Sequence, residues 1–146
     1  LLPAELYQHC HSLLQHGRRT PSGAMSWLLH SDLSAEHILL SADGNRVEAI
    51  IDWTDAVTGD PAHDFAGLWV WQGQPFVEQV LEHYAGAMDA DFRQRIRLYA
   101  LCSALSDFSY GVQAGREANR RLGLAALERS LLDYNSEGMK SLWPDA

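Results

Sequence analysis

The chain has 146 residues, is 47% hydrophobic and carries a formal net charge of −8. That length and apolar content suit one globular domain with its own core, and the acidic balance argues against a nucleic-acid binder, which needs a basic face. No apolar run is long enough to span a bilayer and no signal peptide is visible, so no membrane partner and a cytoplasmic location are expected.

Leu6, Cys10, Leu13 and Leu14 recur near helical spacing and predict a helix over Ala4–Gln15, with Gly17 as its stop. Arg18 to Gly23 reads as a loop, broken by Pro21 and Gly23. Trp27-Leu28-Leu29 predicts a short buried strand. His37 to Ser41 predicts a second strand, and the apolar run Val47 to Ile51 a third, also buried. Asp43-Gly44-Asn45 is a turn signal between two apolar runs, so 38–41 and 46–51 are expected to form a β-hairpin. Asp60-Pro61 then opens a helical region, Asp60 as N-cap and Pro61 in a first turn where its missing amide costs nothing. Helices are predicted over Ala62–Trp71, Phe76–Ala87 (after a break at Gly73 and Pro75), Asp91–Gln113 and, beyond Gly115, Arg116–Tyr134. The class expected is α+β and mainly helical, one domain without an internal linker.

Between the strands lies the segment that carries chemistry: His30-Ser31-Asp32-Leu33-Ser34-Ala35-Glu36-His37, followed by Ile50-Ile51-Asp52-Trp53. Asp32 and His37 are close enough for one tight loop to place both in one cleft, and Asp52 ends an apolar strand beside it. In phosphoryl transfer a loop Asp takes the acceptor's hydroxyl proton. A residue farther along that loop and a strand-end Asp hold the metal ions. Asp32 is therefore the candidate base, and His37 and Asp52 are the candidate metal ligands. A carboxylate after so apolar a strand is costly unless paired, and a divalent ion would offset that cost. Imidazole is an unusual partner for Mg²⁺, which prefers oxygen. A buried core histidine, packed with Ile38-Leu39-Leu40, is the competing reading of His37. Asp55 and Asp107 are weaker candidates for contact with substrate. Trp69, Trp71, Phe76, Phe108 and Tyr110 read either as a substrate wall or, more commonly at helical spacing, as core. His9 and His11 lack the partners of a zinc site. Cys10 and Cys102 form no C-x-x-C pair and read as free thiols of a reducing compartment.

These motifs resemble the aminoglycoside phosphotransferase family, which shares the protein-kinase fold and a His-x-Asp-x-x-x-x-Asn loop. Ile50-Ile51-Asp52-Trp53-Thr54-Asp55-Ala56 is similar to the family's metal-binding strand end, and Gly59-Asp60-Pro61-Ala62-His63-Asp64-Phe65-Ala66 to its following helix entry. The usual Asn is His37 here, which within the family looks most like the macrolide 2′-phosphotransferases. The resemblance implies the C-terminal lobe of a kinase-like fold with a small β-hairpin at the catalytic loop. It also implies Mg²⁺, ATP or GTP as co-substrate, and a hydroxyl acceptor such as a macrolide or a cationic aminoglycoside. It gives His30 and Asp64 the role of bracing the catalytic loop. For Asp64 an ordinary first-turn acid, favoured by the helix dipole, is compatible with that role.

A kinase of this type also needs a phosphate-covering loop and a strand lysine. Neither is found, since Lys140 is the sole lysine. The chain is thus expected to be a C-terminal lobe whose N-terminal nucleotide lobe lies elsewhere, to turn over no nucleotide alone, and to expose apolar surface that favours self-association. Two alternatives stay open: a degenerate, non-catalytic lobe that binds a ligand or a protein, and a kinase of a small metabolite such as choline or homoserine.

Overall fold

Apolar residues three and four apart fold into helices on either side of a short-stranded middle. The computed structural model describes residues 2–17 and 26–135. In chain order its elements are α1 (Ala4–Gly17), β1 (Trp27–Leu29), β2 (Ile38–Leu40), β3 (Val47–Ile50), β4 (Val57–Gly59), α2 (Ala62–Gln72), α3 (Gln74–Glu82), α4 (Phe92–Ala114) and α5 (Glu117–Asn135). Single 3-10 turns occupy Ala35–His37 and Trp53–Asp55. The expected loop over 18–23, and Lys140, lie outside the described residues.

The core is helical. Ala62, Phe65, Ala66, Leu68, Trp69 and Val70 are all buried, so α2 is apolar around most of its circumference and runs through the middle of the domain. Phe92, Ile96 and Leu101 of α4 and Leu127 of α5 are the largest fully buried apolar side chains. Gly115, at φ 66°, closes α4 in the left-handed conformation that reverses the chain into α5. From α1, Leu6, Cys10 and Leu13 join the same core. No helix of the described residues is long and apolar enough to cross a membrane.

The expected hairpin forms, β2 pairing antiparallel with β3 in the register Ile38↔Ile50 and Leu39↔Ala49. Its turn is held by Asp43, whose Oδ1 accepts from the Ser41 hydroxyl at 2.6 Å and from the Asn45 amide at 3.2 Å. A second antiparallel pair, β1 with β4, was not foreseen; it sets Leu29 opposite Val57 and anchors the start of the His30–His37 loop.

Several expectations need correction. The strands are not buried: Leu28 is 69% exposed, Val47 54% and Ile51 41%, and in β1 only Leu29 is covered. Among the described residues each strand has one strand partner. His37 ends a 3-10 turn rather than starting a strand. Pro75 does not break a helix but sits in the first turn of α3, where an absent amide is tolerated. That helix stops at Glu82, short of Ala87. Of the aromatic wall, Trp69 is core at 3% exposure and Tyr110 is half exposed away from the cleft described below.

Asp60 accepts the Ala62 amide at 3.1 Å, as a capping residue would. Its carboxylate also receives Arg95 Nε–H at 2.5 Å and the Tyr99 hydroxyl at 3.3 Å, while Arg95 Nη1 reaches Asp89 at 2.8 Å. The ion pair ties the start of α2 to α4 inside the domain.

Gly67 marks a close approach of α2 to the His30–His37 loop. A Cβ at this position would fall inside the Leu33 carbonyl oxygen, a backbone atom that cannot rotate away. Gly67→Ala is therefore expected to displace the loop. It should lower the thermal midpoint and, in an active phosphotransferase, kcat by tenfold or more. A variant that melts with the parent and keeps its rate would contradict this.

Candidate active site

The segment His30–His37 folds as an irregular loop between β1 and β2, and its side chains and main chain are tied down from two directions. From α2, Asp64 accepts the His30 amide at Oδ2 (2.9 Å) and the Ser31 amide at Oδ1 (2.8 Å). From the far side, His30, 1% exposed, donates Nε2–H to the Ile51 carbonyl at 2.7 Å. A carbonyl can only accept, so the proton is on Nε2 and Nδ1 is free to receive the Asp32 amide at 3.3 Å. His30 thus bridges the loop to the segment that ends at Asp52. Ser31, at φ 72°, makes the left-handed turn that presents Asp32.

Asp32 is exposed, and His37 stands between it and Asp52. Nδ1 of His37 lies 3.9 Å from Asp32 Oδ2, and Nε2 lies 3.9 Å from Asp52 Oδ2. The ring is oriented by its Nδ1–H, which donates to the Asp32 carbonyl at 2.7 Å, with Ser34 Oγ at 3.3 Å from the same nitrogen. Neutral His37 therefore points an Nε2 lone pair toward Asp52. Asp52 is itself left-handed, at φ 63°, and its Oδ1 takes the Thr54 hydroxyl at 2.7 Å, leaving Oδ2 toward His37. The Thr54 hydrogen bond, helped by His37, holds the Asp52 carboxyl below its usual range.

This donor set fits a divalent cation in part. An imidazole nitrogen and a carboxylate oxygen face one another with their remaining bonds satisfied. No group of three or more His, Cys, Asp or Glu side chains among the described residues converges for a metal. A cation held here would need further oxygens from phosphate or water, as Mg²⁺ commonly has.

The Asp32 carbonyl, with the carboxylates of Asp32, Asp52 and Glu36 behind it, raises the His37 pKa above the ordinary 6.5. A folded value above the unfolded one means that protonated His37 stabilises the fold fully below about pH 6.5. That contribution fades as pH rises through the folded value. The same protonation competes with a cation, so divalent-ion affinity should begin to fall above pH 6.5 as the solution is acidified. An NMR titration of the ring is expected to show a midpoint above 6.5. Asp52→Asn should lower it only part of the way, because the carbonyl contact is the larger cause. A midpoint at or below 6.5 would overturn this.

On the other side of Asp32 opens a cleft of about 330 Å³. Ser31, Asp32, Ser34 and Glu36 form its loop wall, His63, Gly67 and Trp71 its α2 wall, and Ser103, Asp107, Asn119 and Leu122 the α4–α5 wall. Its lining holds the carboxylates of Asp32, Glu36 and Asp107 and, among the described residues, no Lys or Arg. Burial, with Asp32 and Glu36 nearby, pushes the Asp107 carboxyl above its usual range against a 3.5 Å hydrogen bond from Asn119. The structure therefore brings Asp32 and Asp107 to one cleft and sets His37 and Asp52 beside it. Asp55, exposed in its 3-10 turn, is outside the lining. Glu36, His63, Trp71 and Asn119 complete the cleft. Of these the sequence marked Trp71 alone, within its aromatic group, because the others depend on how α2, α4 and α5 cross.

Comparison with known proteins fits this geometry. A model of the phosphotransferase enzyme family matches residues 2–99. Viomycin phosphotransferase of Streptomyces vinaceus is 30% identical over 102 residues, 68% of this chain and 35% of its own. Among solved structures, a mutant aminoglycoside 2′-phosphotransferase-IIIa with GDP superposes at TM-score 0.73 and 23% identity, over 92% of this chain and 46% of that one. The GDP and kanamycin complex of APH(2″)-IIIa gives 0.67 and 26%, over 90% and 46%. Macrolide 2′-phosphotransferase type I gives 0.54 and 19%, over 84% and 48%. The chain spans about a third of the curated relative and just under half of each solved chain. The fold is that of these kinase-like enzymes, and the chain belongs to the phosphotransferase enzyme family.

Proposed function

We propose that these residues form the acceptor-binding C-terminal lobe of a small-molecule O-phosphotransferase. It would move the γ-phosphoryl group of ATP or GTP to a hydroxyl of an aminoglycoside-like or macrolide-like antibiotic. The observation that carries the reading is the arrangement around His37: Asp32 and Asp52 lie 3.9 Å from its two ring nitrogens, with an acceptor-sized cleft on the outer side of Asp32. The likeness to viomycin phosphotransferase and to a kanamycin complex supports an antibiotic as acceptor.

Asp32 orients the acceptor hydroxyl and accepts its proton as the new O–P bond forms and the bond from the γ-phosphorus to the bridging oxygen breaks, releasing the nucleoside diphosphate. His37 and Asp52 would hold Mg²⁺, whose charge offsets that of the phosphates. His30 and Asp64 keep the loop rigid, which matters because a loose phosphoryl transition state gains most from positioning. The carboxylates of Glu36 and Asp107 favour an acceptor with a protonated amine. The parts that cover the nucleotide are assigned to a lobe outside these residues, and the 146-residue chain alone is expected to be inactive. Triphosphate chemistry and two unpaired thiols, Cys10 and Cys102, fit the cytoplasm.

The test is phosphate transfer by the full-length protein carrying this chain, with Mg²⁺ and either ATP or GTP. The acceptors are kanamycin, hygromycin B, viomycin and a macrolide. Transfer to any of them establishes the reading and names the acceptor. No transfer would favour a degenerate binding lobe or a metabolite kinase.

A further inference from the structure

The side chain of Asp52 is 53% exposed, too open for packing alone to fix its rotamer. Its main chain is better held. The Trp53 indole N–H donates to the Ile50 carbonyl at 2.9 Å, and the Ala56 amide to the Trp53 carbonyl at 3.2 Å. Between these ties Asp52 keeps its positive φ of 63°. On the carboxylate itself one hydrogen bond acts among the described residues: the Thr54 hydroxyl donates to Oδ1 at 2.7 Å. Oδ2 is then left 3.9 Å from His37 Nε2. Thr54 is exposed, so its hydroxyl could bond to water instead and is not forced onto Asp52 by burial. The bond engages one carboxylate oxygen and aims the other.

An oxygen that already accepts a short O–H bond is a poorer partner for a cation. Asp52 is thereby confined to coordination through Oδ2. That suits Mg²⁺ and Mn²⁺, small ions of octahedral preference. It handicaps Ca²⁺, which takes roughly six to eight oxygens and often both oxygens of one carboxylate.

We propose that Thr54 is a positioning residue that holds Asp52 to single-oxygen coordination, so that the His37–Asp52 pair selects a small octahedral divalent ion over Ca²⁺. This rests on the metal role given to His37 and Asp52 in the proposed function.

The test is a Mn²⁺ titration of the full-length protein carrying this chain, read by water-proton relaxation, with Ca²⁺ as competitor and no nucleotide or acceptor present. The site's share of the signal is the part that Asp52→Asn removes. At that site the parent is expected to prefer Mn²⁺ to Ca²⁺ by about tenfold or more. Thr54→Val, of nearly equal volume, should weaken Mn²⁺ about tenfold, the low end for a lost partner of a metal ligand. Ca²⁺ should weaken less, because the freed Oδ1 can join its coordination, so the preference narrows. Thr54→Ser should behave as the parent. The melting midpoint of Thr54→Val should match the parent's, whereas a purely turn-forming hydroxyl would show as lost stability. The inference is overturned if Thr54→Val binds Mn²⁺ as the parent does, if its preference over Ca²⁺ is unchanged, or if Thr54→Ser fails to restore both. It is overturned equally if Asp52→Asn removes no part of the Mn²⁺ signal. Failure of the phosphotransfer reading is seen separately: the Thr54 variants would still shift Mn²⁺ affinity while the full-length protein transfers no phosphate.

Discussion

Asp32→Asn is expected to cut phosphate transfer by the full-length protein about 10²- to 10⁴-fold, the range a positioned general base supplies. Asparagine keeps the size and the hydrogen-bonding reach of the side chain but cannot take the acceptor's proton. The loop should not move, because its ties run through the His30 ring, the Asp64 carboxylate and main-chain amides rather than through the Asp32 carboxylate. Acceptor KM should accordingly change little while kcat collapses. The control is the melting curve, which should match the parent's. A variant retaining more than a tenth of the parent rate would remove Asp32 from the chemistry and leave the cleft as a binding site.

The largest effect on stability is expected at Arg95. Its guanidinium is 5% exposed and its partner Asp60 6% exposed, so both charges depend on each other rather than on water. Removing one partner of such a pair costs about 3–5 kcal/mol, because the other is left charged and uncompensated. Arg95→Met is therefore expected to lower the unfolding free energy by that amount in urea, with Asp89 losing a partner at the same time. The double variant Arg95→Met with Asp60→Asn should regain part of the loss, since the stranded charge is gone. A single variant costing under about 1 kcal/mol would show that water reaches Asp60 when Arg95 is removed.

Much of this was legible in the residues. The hairpin followed from Asp43-Gly44-Asn45 between two apolar runs, and the long helices from their spacing and from Gly73 and Gly115 between them. The loop from His30 to His37 stood out because its candidate groups are compressed into eight consecutive residues. What was hidden depends on distant segments. Val57-Thr58-Gly59 is too short to show a period and becomes a strand only by pairing with Trp27-Leu28-Leu29. Apolar runs announced strands, yet whether their faces are covered depends on what packs against them, and among the described residues more than half of Leu28, Leu40 and Val47 stays exposed. His63 and Asn119 belong to one cleft only because α2 and α5 both flank α4, a crossing that no local pattern specifies.

The brace from Asp64 has a consequence for how such a site can change. It grips main-chain amides, and every residue but proline supplies one at position 31. The side chain there lines the cleft but plays no part in the brace. Its positive φ is the remaining filter, one that glycine and asparagine pass most easily. Selection can therefore exchange a cleft-facing group without rebuilding the scaffold that presents Asp32. On the proposed reading, a loop secured through its backbone is evolvable at its surface, and single substitutions make new acceptors reachable.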